Sequence, residues 1–154
     1  MSLQIRKVLP EDISALKKVL QSIELFPPEM LEEMISDYFN DPNTQTIWFT
    51  ATEQGQPISI GFCAPEKLTV GTFNLYAIGV KKSYQGKGIG SKMMTYIENY
   101  LQQKGHRILI VDTSGTADFE LTRQFYEKLG YAKEAVIRDF WDVGDDKVTY
   151  WKKL

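Results

Sequence analysis

Three glycines at alternate positions, Gly86, Gly88 and Gly90, are the feature that most limits how this chain can fold. They follow an apolar, strand-like run, Thr72–Val80, and they precede apolar residues at helical spacing. The first N–H groups of a helix are unpaired, and the helix dipole makes that end positive. Because glycine has no Cβ, an anion can approach those N–H groups closely. The junction therefore predicts a phosphate-binding site.

The charge around this junction supports an anionic ligand. No Asp or Glu lies between Lys67 and Ile97, although the chain as a whole has a net charge of −2. The same window holds a group of lysines: Lys81, Lys82, Lys87 and Lys92. A local excess of positive charge in a mildly acidic chain favours an anion there. A tight strand-to-helix turn with solvated lysines is the alternative interpretation.

The composition indicates one globular domain, residues 1–154, with 43% hydrophobic and 25% charged residues. The net charge gives no general attraction to nucleic acid or acidic membranes, and we expect neither as a partner. No apolar stretch approaches the roughly 20 residues of a membrane span, and no signal peptide is evident, so we expect a cytoplasmic protein. Cys63 is the single cysteine and His106 the single histidine, which excludes an internal disulfide and the usual zinc sites. We expect no metal.

The hydrophobic patterns predict seven strands and four helices in the order β-α-α-β-β-β-α-β-α-β-β. The strands are expected at residues 3–9, 46–53, 57–66, 72–80, 107–113, 131–140 and 147–154. The run at 72–80 is apolar enough to be central in a sheet, and that at 107–113 is typical of a strand covered on both faces. The last two strands form a hairpin that turns at residues 144–146. This order indicates an α+β (mixed α/β) fold, a mixed sheet flanked by helices.

The spacing of the glycines excludes two common phosphate-binding loops. The dinucleotide fingerprint G-x-G-x-x-G would need a glycine or alanine where Ser91 or Met93 stands. The nucleotide-triphosphate loop would need Lys before Ser, whereas here Ser91 precedes Lys92. The pattern that remains is Gln85-x-x-Gly88-x-Gly90.

This pattern resembles the Q/R-x-x-G-x-G/A loop of the GNAT superfamily of N-acetyltransferases, which binds the pyrophosphate of acetyl-coenzyme A. A second motif, FYEKLGY at residues 125–131, is similar to the Y-x-K-x-G-F/Y segment of that family. The resemblance covers essentially the whole chain. It implies the GNAT acyl-CoA N-acyltransferase fold, whose central mixed sheet is mostly antiparallel, and acetyl-CoA as co-substrate.

The resemblance also implies roles for the residues around the loop. Backbone N–H groups of the loop would hold the pyrophosphate, which implies Gln85, Gly86, Lys87, Gly88, Ile89, Gly90 and Ser91. The preceding strand would diverge from its neighbour at a bulge and pair with the pantetheine arm, which implies Ile78, Gly79 and Val80. Gly79 is the expected bulge residue. The Val80 N–H would polarise the thioester oxygen as negative charge develops on it.

Tyr126 matches the tyrosine that in many family members protonates the departing thiolate. The pKa of a phenol, about 10, and that of an alkyl thiol, about 8.5, are close enough for such a proton transfer. The alternative is a packed aromatic side chain, because one of the adjacent Phe125 and Tyr126 must face inward.

The proton acceptor for the amine is not indicated by the family pattern. Many relatives carry a glutamate where this chain has Tyr76, and an asparagine where it has Phe119. Asp112, Glu66 or the Tyr76 hydroxyl could accept the proton through water, or the amine could arrive neutral.

The acceptor is expected to be a primary amine on a small molecule or a peptide. Four carboxylates in the last hairpin are either turn formers or attract a cationic amine, namely Asp139, Asp142, Asp145 and Asp146. Residues 24–34 would form the other wall of the acceptor site. A non-catalytic acyl-CoA-binding module of the same fold is the alternative function, and a homodimer is possible by resemblance.

Overall fold

The structure is a computed structural model that describes residues 2–154. Its strands are β1 Leu3–Lys7, β2 Ile47–Glu53, β3 Gln56–Pro57, β4 Ser59–Pro65, β5 Thr72–Val80, β6 Ile108–Ser114, β7 Ala132–Asp142 and β8 Asp145–Lys153. Its helices are α1 Ile13–Gln21, α2 Leu31–Asn40, α3 Ile89–Gln103 and α4 Glu120–Lys128. Within residues 2–154, none of these helices is long and apolar enough to cross a membrane.

The strands form one sheet in the order β1-β2-β4-β5-β6-β8-β7, and the two-residue β3 pairs with β2. Every pairing is antiparallel except that of β5 with β6. The predicted α+β fold with a mixed, mostly antiparallel sheet is thereby confirmed, as is the central position of the apolar strand β5. The predicted element order is also confirmed, with β3 as an addition.

Two hydrophobic clusters pack helices on opposite faces of the sheet. On one face, side chains of α3 and α4 pack on the sheet, and the buried members include Phe49, Phe73, Met93, Ile97 and Tyr126. On the other, α1 and α2 cover β2 and β4, with Leu16, Leu20, Ile35, Trp48 and Ile60 buried. Burial at this helical spacing explains why these segments are helices.

The second layer of helices covers only half of the sheet. Strand β6 was expected to be covered on both faces, and this is wrong: Leu109 and Val111 are buried, but Ile108, Ile110 and Asp112 are half-exposed. The cluster beneath α1 and α2 takes its sheet residues from β2 and β4. The face of the sheet beyond β5 is therefore open on that side.

The final hairpin turns at residues 143 and 144, earlier than the predicted 144–146, and Asp145 already belongs to β8. Gly144 has φ +80°, which glycine adopts without strain. Three of the four hairpin carboxylates bind backbone N–H groups of the hairpin: Asp139 with Gly144, Asp142 with Val143, and Asp146 with Asp139. For these three the turn-forming interpretation fits the structure, and Asp145 is the exception.

Cys63 and His106 lie outside the region of the loop. Cys63 is fully buried, and burial raises the pKa of its thiol to about 12, as expected of a small hydrophobic side chain. His106 is half-buried, with its ring centroid 4.3 Å from that of Phe73. Burial lowers the pKa of His106.

Candidate active site

Strands β5 and β6 diverge along their length. They pair only from Thr72 to Asn74 on β5, opposite Ile108 to Ile110 on β6. Beyond this point β5 stays paired with β4 as far as Val80, and β6 stays paired with β8 as far as Ser114. A wedge-shaped gap therefore opens between two strands that are each held from the outside. The predicted divergence of the strand before the loop is present.

The backbone of Val80 points into this gap. Lys81 N donates to Ile58 O over 2.8 Å, which makes Ser59 and Val80 a non-hydrogen-bonded pair of the antiparallel ladder. The N–H and C=O of Val80 are thus directed away from β4. By the alternation of the ladder, Ile78 has the same orientation, whereas Gly79 pairs with Ile60.

The bulge in β5 lies at Tyr76, and its prediction at Gly79 is wrong. Phe62 is opposite Ala77, but the next residue of β4, Cys63, is opposite Leu75, so Tyr76 is the extra residue. Bulges re-aim side chains beside functional sites. Gly79 is instead a point of close approach, because a Cβ there would lie 2.5 Å from Ile23 Cδ1.

A cleft of about 680 Å³ occupies the gap. Its lining includes Ile78, Gly79, Val80, Gln85 and Tyr126, together with Tyr76, Asp112, Ser114, Trp141 and Asp145. Ile23, Glu24 and Leu25 form a wall, so the expected contribution of residues 24–34 is limited to its first two residues. A second cleft of about 690 Å³ beside His106 contains none of the loop residues.

The charge of the cleft lining is negative. Glu24, Asp112 and Asp145 line it, and among the lining residues of the described chain there is no Lys, Arg or His. Asp145 also accepts a hydrogen bond from Ser114 Oγ over 2.5 Å. Away from the glycine loop, a cleft with this lining attracts cations and repels anions.

The glycine loop has the geometry expected of an anion site. Gly86 has φ +77° and Gly88 φ +79°, and Gly88 directly precedes the 15-residue helix α3. A Cβ at either position would meet no atom within 4 Å, so these glycines are needed for their backbone conformation and not for space. The space beside these two glycines is therefore open. The residues present fit a diphosphate.

Gly90 and Gln85 connect the loop to its surroundings. A Cβ on Gly90 would lie 3.4 Å from Phe125 Cζ, so Gly90 is at the contact between α3 and α4. The side chain of Gln85 donates from Nε2 to the Val80 carbonyl oxygen over 2.9 Å. This bond was not predicted, since the sequence indicated only the backbone of Gln85. It fixes the loop to the end of β5.

Tyr126 is both packed and at the cleft. It is 4% exposed, and its ring lies 5.9 Å from that of Tyr131 and 5.8 Å from that of Tyr150. Burial raises the pKa of its phenol well above the ordinary range. A neutral phenol in the cleft lining is thus available to donate.

The three predicted proton acceptors lie in one hydrogen-bonded cluster. Glu66 Oε1 accepts from Asn74 Nδ2 over 2.7 Å and from the Tyr76 hydroxyl over 3.0 Å. Asn74 Nδ2 also donates to Asp112 Oδ2 over 3.2 Å, and Asp112 Oδ1 accepts from Thr149 Oγ1 over 2.6 Å. We call Glu66, Asn74, Tyr76 and Asp112 the carboxylate cluster. Asn74, the residue that joins it, was missed; its only signal is a lone amide within an apolar strand.

One polar atom of the carboxylate cluster is unpaired. Asn74 is 3% exposed, and its Oδ1 is buried without a hydrogen-bond partner among the described residues. An unpaired buried acceptor costs about 1–3 kcal/mol. Asn74 lies where β5 and β6 separate, so a donor that enters from the gap could satisfy it.

Tyr76 remains a neutral phenol at physiological pH. Burial, its hydrogen bond to Glu66, and the charges of Glu66 and Asp112 together raise the pKa of Tyr76 to about 12. The residue is nevertheless 53% exposed, whereas its neighbours Leu75 and Ala77 are buried. Its hydroxyl donates to Glu66 and retains lone pairs that can accept a proton.

Comparison with known proteins identifies the family. A GNAT acetyltransferase domain model matches residues 44–133, more than half of the 154-residue chain. An uncharacterised N-acetyltransferase of Methanocaldococcus jannaschii is 28% identical over 86 residues, 54% of this chain and 53% of the relative, so the match spans about half of that protein. The uncharacterised N-acetyltransferase YsnE of Bacillus subtilis is 25% identical over 92% of this chain and 91% of its own.

Solved structures show the same fold. A GNAT-family protein from Desulfovibrio desulfuricans superimposes with a TM-score of 0.91, at 28% identity, over 99% of both chains. An aminoglycoside 6'-N-acetyltransferase in complex with coenzyme A gives a TM-score of 0.79 at 19% identity, over 97% of this chain and 96% of that one, a likeness of fold alone. The chain belongs to the GNAT acetyltransferase family. Membership supports acyl-CoA-dependent N-acetyltransferase activity.

Proposed function

We propose that the protein transfers the acetyl group of acetyl-CoA to a primary amine, by direct attack of the amine within a ternary complex. The observation that carries this proposal is the backbone of Val80, which points into a gap that Gln85 of the glycine loop also lines. The same cleft is lined by Tyr126 and by the carboxylates that a cationic amine would meet. Donor and acceptor would thus share one cleft.

The loop is proposed to bind the diphosphate of the donor. N–H groups of Gly88, Ile89 and Gly90 open α3, and the positive φ of Gly86 and Gly88 turns the chain around the anion. Exposed Lys87 adds positive charge near it. The pantetheine arm would lie along the free edge of β5, beside Ile78 and Val80. Gly79 would contribute by its lack of a side chain in the cleft wall.

Two groups are proposed to act on the reacting atoms. A bound thioester supplies an activated acetyl carbon and a thiol leaving group. The Val80 N–H donates to the carbonyl oxygen, where negative charge develops, and needs no reorientation because β4 holds it in place. Tyr126 donates its phenolic proton to the sulfur as the C–S bond breaks.

The competing proposal is a non-catalytic acyl-CoA-binding module. It is motivated by Tyr76 in the place where many relatives have a glutamate. The hydrogen bond from Tyr76 to Glu66 disfavours it, since a carboxylate from the residue after β4 lies beside Tyr76. A functional proton acceptor would then be retained.

Thiol release with a broad panel of amines and peptides tests the proposal. We expect turnover of acetyl-CoA that depends on the amine, with a stoichiometric acetylated product detected by mass spectrometry. Calorimetry with coenzyme A provides the second arm. Binding of coenzyme A without turnover on any amine would support the binding module. Absence of both binding and turnover would contradict the two proposals together.

A further inference from the structure

Removal of a proton from the acceptor amine is the step that the residues above leave unassigned. The pKa of an alkyl amine is about 10.4, so at neutral pH the amine arrives as an ammonium ion. Attack on a carbonyl carbon requires the lone pair that this proton occupies. A group that binds the ammonium ion and accepts its proton would complete the site.

We propose that the carboxylate cluster binds the ammonium group of a cationic acceptor, and that Tyr76 passes its proton to Glu66. This inference rests on the proposed function. The proton moves from the ammonium nitrogen to Tyr76 Oη as the phenolic proton moves to Glu66 Oε1, along a hydrogen bond that is already formed at 3.0 Å. The amine is left neutral with a free lone pair, and Glu66 is protonated. Glu66 is half-exposed and returns the proton to solvent.

Placement in the fold supports this assignment. Tyr76 and Asp112 both line the cleft that contains Val80 and Tyr126. Tyr76 is the bulge residue of β5, and its side chain is exposed beside the cleft. Its ring is supported by Phe62, with ring centroids 5.5 Å apart. The proposed proton relay of Tyr76 and Glu66 thus lies beside the gap into which the Val80 N–H points.

The unpaired atom of Asn74 is a second and independent sign of a ligand. Asn74 uses both N–H bonds of its amide on carboxylates, and its buried Oδ1 remains without a donor among the described residues. An ammonium group, or a water that it displaces, supplies the donor that this acceptor lacks. Two carboxylates held by one amide give a net negative site.

The proposed ligand class is therefore an amine that carries positive charge. Besides Tyr76 and Asp112 of the cluster, the cleft presents Glu24 and Asp145 and no basic side chain among its described lining residues. An acceptor with a second cationic group, such as a diamine, gains from these carboxylates as well, whereas an acceptor with a carboxylate beside the amine is repelled. The groups that act on Tyr76 in this site are Glu66, directly after β4, and Asp112 on β6.

The test compares pH profiles of kcat/KM for one alkyl diamine in the wild type, Glu66→Gln and Tyr76→Phe. In the wild type we expect kcat/KM to fall above the pKa of the amine, because the enzyme uses the ammonium form. In Glu66→Gln we expect kcat to fall about 100-fold near neutral pH and to recover as the free amine increases. Glu134→Gln, on the exposed strand β7, is the matched control and should keep the wild-type profile.

Two further readouts separate the possible failures. Asp112→Asn should raise KM for the diamine more than it lowers kcat, and coenzyme A binding measured by calorimetry should be unchanged in all variants. If the wild type acetylates amines but Glu66→Gln keeps its rate and profile, the relay is overturned and the enzyme remains. If the wild type binds coenzyme A and acetylates no amine, the proposed function and the relay fall together.

Discussion

Gln85 holds the strand that precedes it: its Nε2 donates to the Val80 carbonyl oxygen over 2.9 Å. The bond connects the loop proposed to bind a diphosphate to the residue proposed to polarise a thioester. The N–H of Val80 belongs to the same residue, so its position depends on the loop that Gln85 begins. Diphosphate binding and thioester placement are therefore coupled through one side chain.

Replacing Gln85 should weaken the use of the donor. In Gln85→Glu the carboxylate cannot donate to Val80 O, the loss of one hydrogen bond is worth about 1 kcal/mol, and the added charge repels a diphosphate. We expect KM for acetyl-CoA to rise at least about tenfold by these two effects together. Gln103→Glu, at the exposed end of α3, is the matched control. Equal KM values in the two variants would remove Gln85 from the donor site.

Gly88 and Gly90 should respond differently to alanine. Gly88 has φ +79°, and an L-residue in that conformation costs about 1–2 kcal/mol, so Gly88→Ala should lower stability and shift the loop. Gly90 is inside α3, and its added Cβ would make an ordinary contact 3.4 Å from Phe125 Cζ. Gly90→Ala should therefore be as stable as the wild type or up to about 1 kcal/mol more stable.

Denaturant unfolding and coenzyme A calorimetry measure both effects. The expected pattern is loss of stability and affinity in Gly88→Ala, with both retained in Gly90→Ala. The reverse order would contradict the assignment of Gly88 to backbone conformation and of Gly90 to packing.

Tyr126→Phe should separate catalysis from binding. The ring remains packed against Tyr131 and Tyr150, so the fold and the affinity for coenzyme A should be preserved. Loss of the donated proton should lower kcat about 100-fold, the smaller end of the effect of a general acid. Steady-state kinetics with acetyl-CoA measure the change. A variant with unchanged kcat would leave Tyr126 as a packed aromatic residue only.

A buried carboxylate lies directly before helix α1. Asp12, 4% exposed, accepts from Arg6 Nη1 over 2.6 Å and from Leu9 N over 2.8 Å. Burial alone would raise the pKa of Asp12. The hydrogen bonds together have the larger effect, so the pKa lies below its ordinary value. The stabilisation is therefore present above the ordinary carboxyl pKa and is lost as pH falls through the lowered value.

Asp12→Asn should lose about 2 kcal/mol of unfolding free energy at pH 7, the value of a hydrogen bond to a charged group. The difference from the wild type should shrink below about pH 4, where the unfolded-state carboxyl is protonated. Asp37→Asn, at an exposed position of α2, is the control and should differ little from the wild type. A wild-type advantage that persisted unchanged at pH 2 would contradict the role of the charge.

The loop and the fold could be predicted because their signals are local. The glycines at 86 and 88 have positive φ, and an apolar strand and an amphipathic helix flank them within a few residues. Such patterns report the conformation of one segment. The same reasoning placed Val80 at the end of β5, and the resemblance to the family implied the gap beside it.

The carboxylate cluster could not be predicted because it depends on pairing between distant segments. Asn74 and Asp112 are 38 residues apart and meet only through the short parallel contact of β5 with β6. The bulge was placed at Gly79 because a glycine in a strand favours one, whereas that glycine accommodates Ile23 from the other layer. Strand β6 was expected to be covered on both faces, whereas α1 and α2 pack on β2 and β4.

The central claim is that the backbone N–H groups at the start of α3 bind a diphosphate and thereby position a thioester beside Val80. Amide chemical shifts in a titration with coenzyme A test it most directly, with pantetheine, which has no phosphate, as the control ligand. We predict that coenzyme A shifts the amides of Gly88, Gly90 and Val80, and that pantetheine shifts Val80 alone. Saturation with coenzyme A that leaves the Gly88 and Gly90 amides unmoved would contradict the claim.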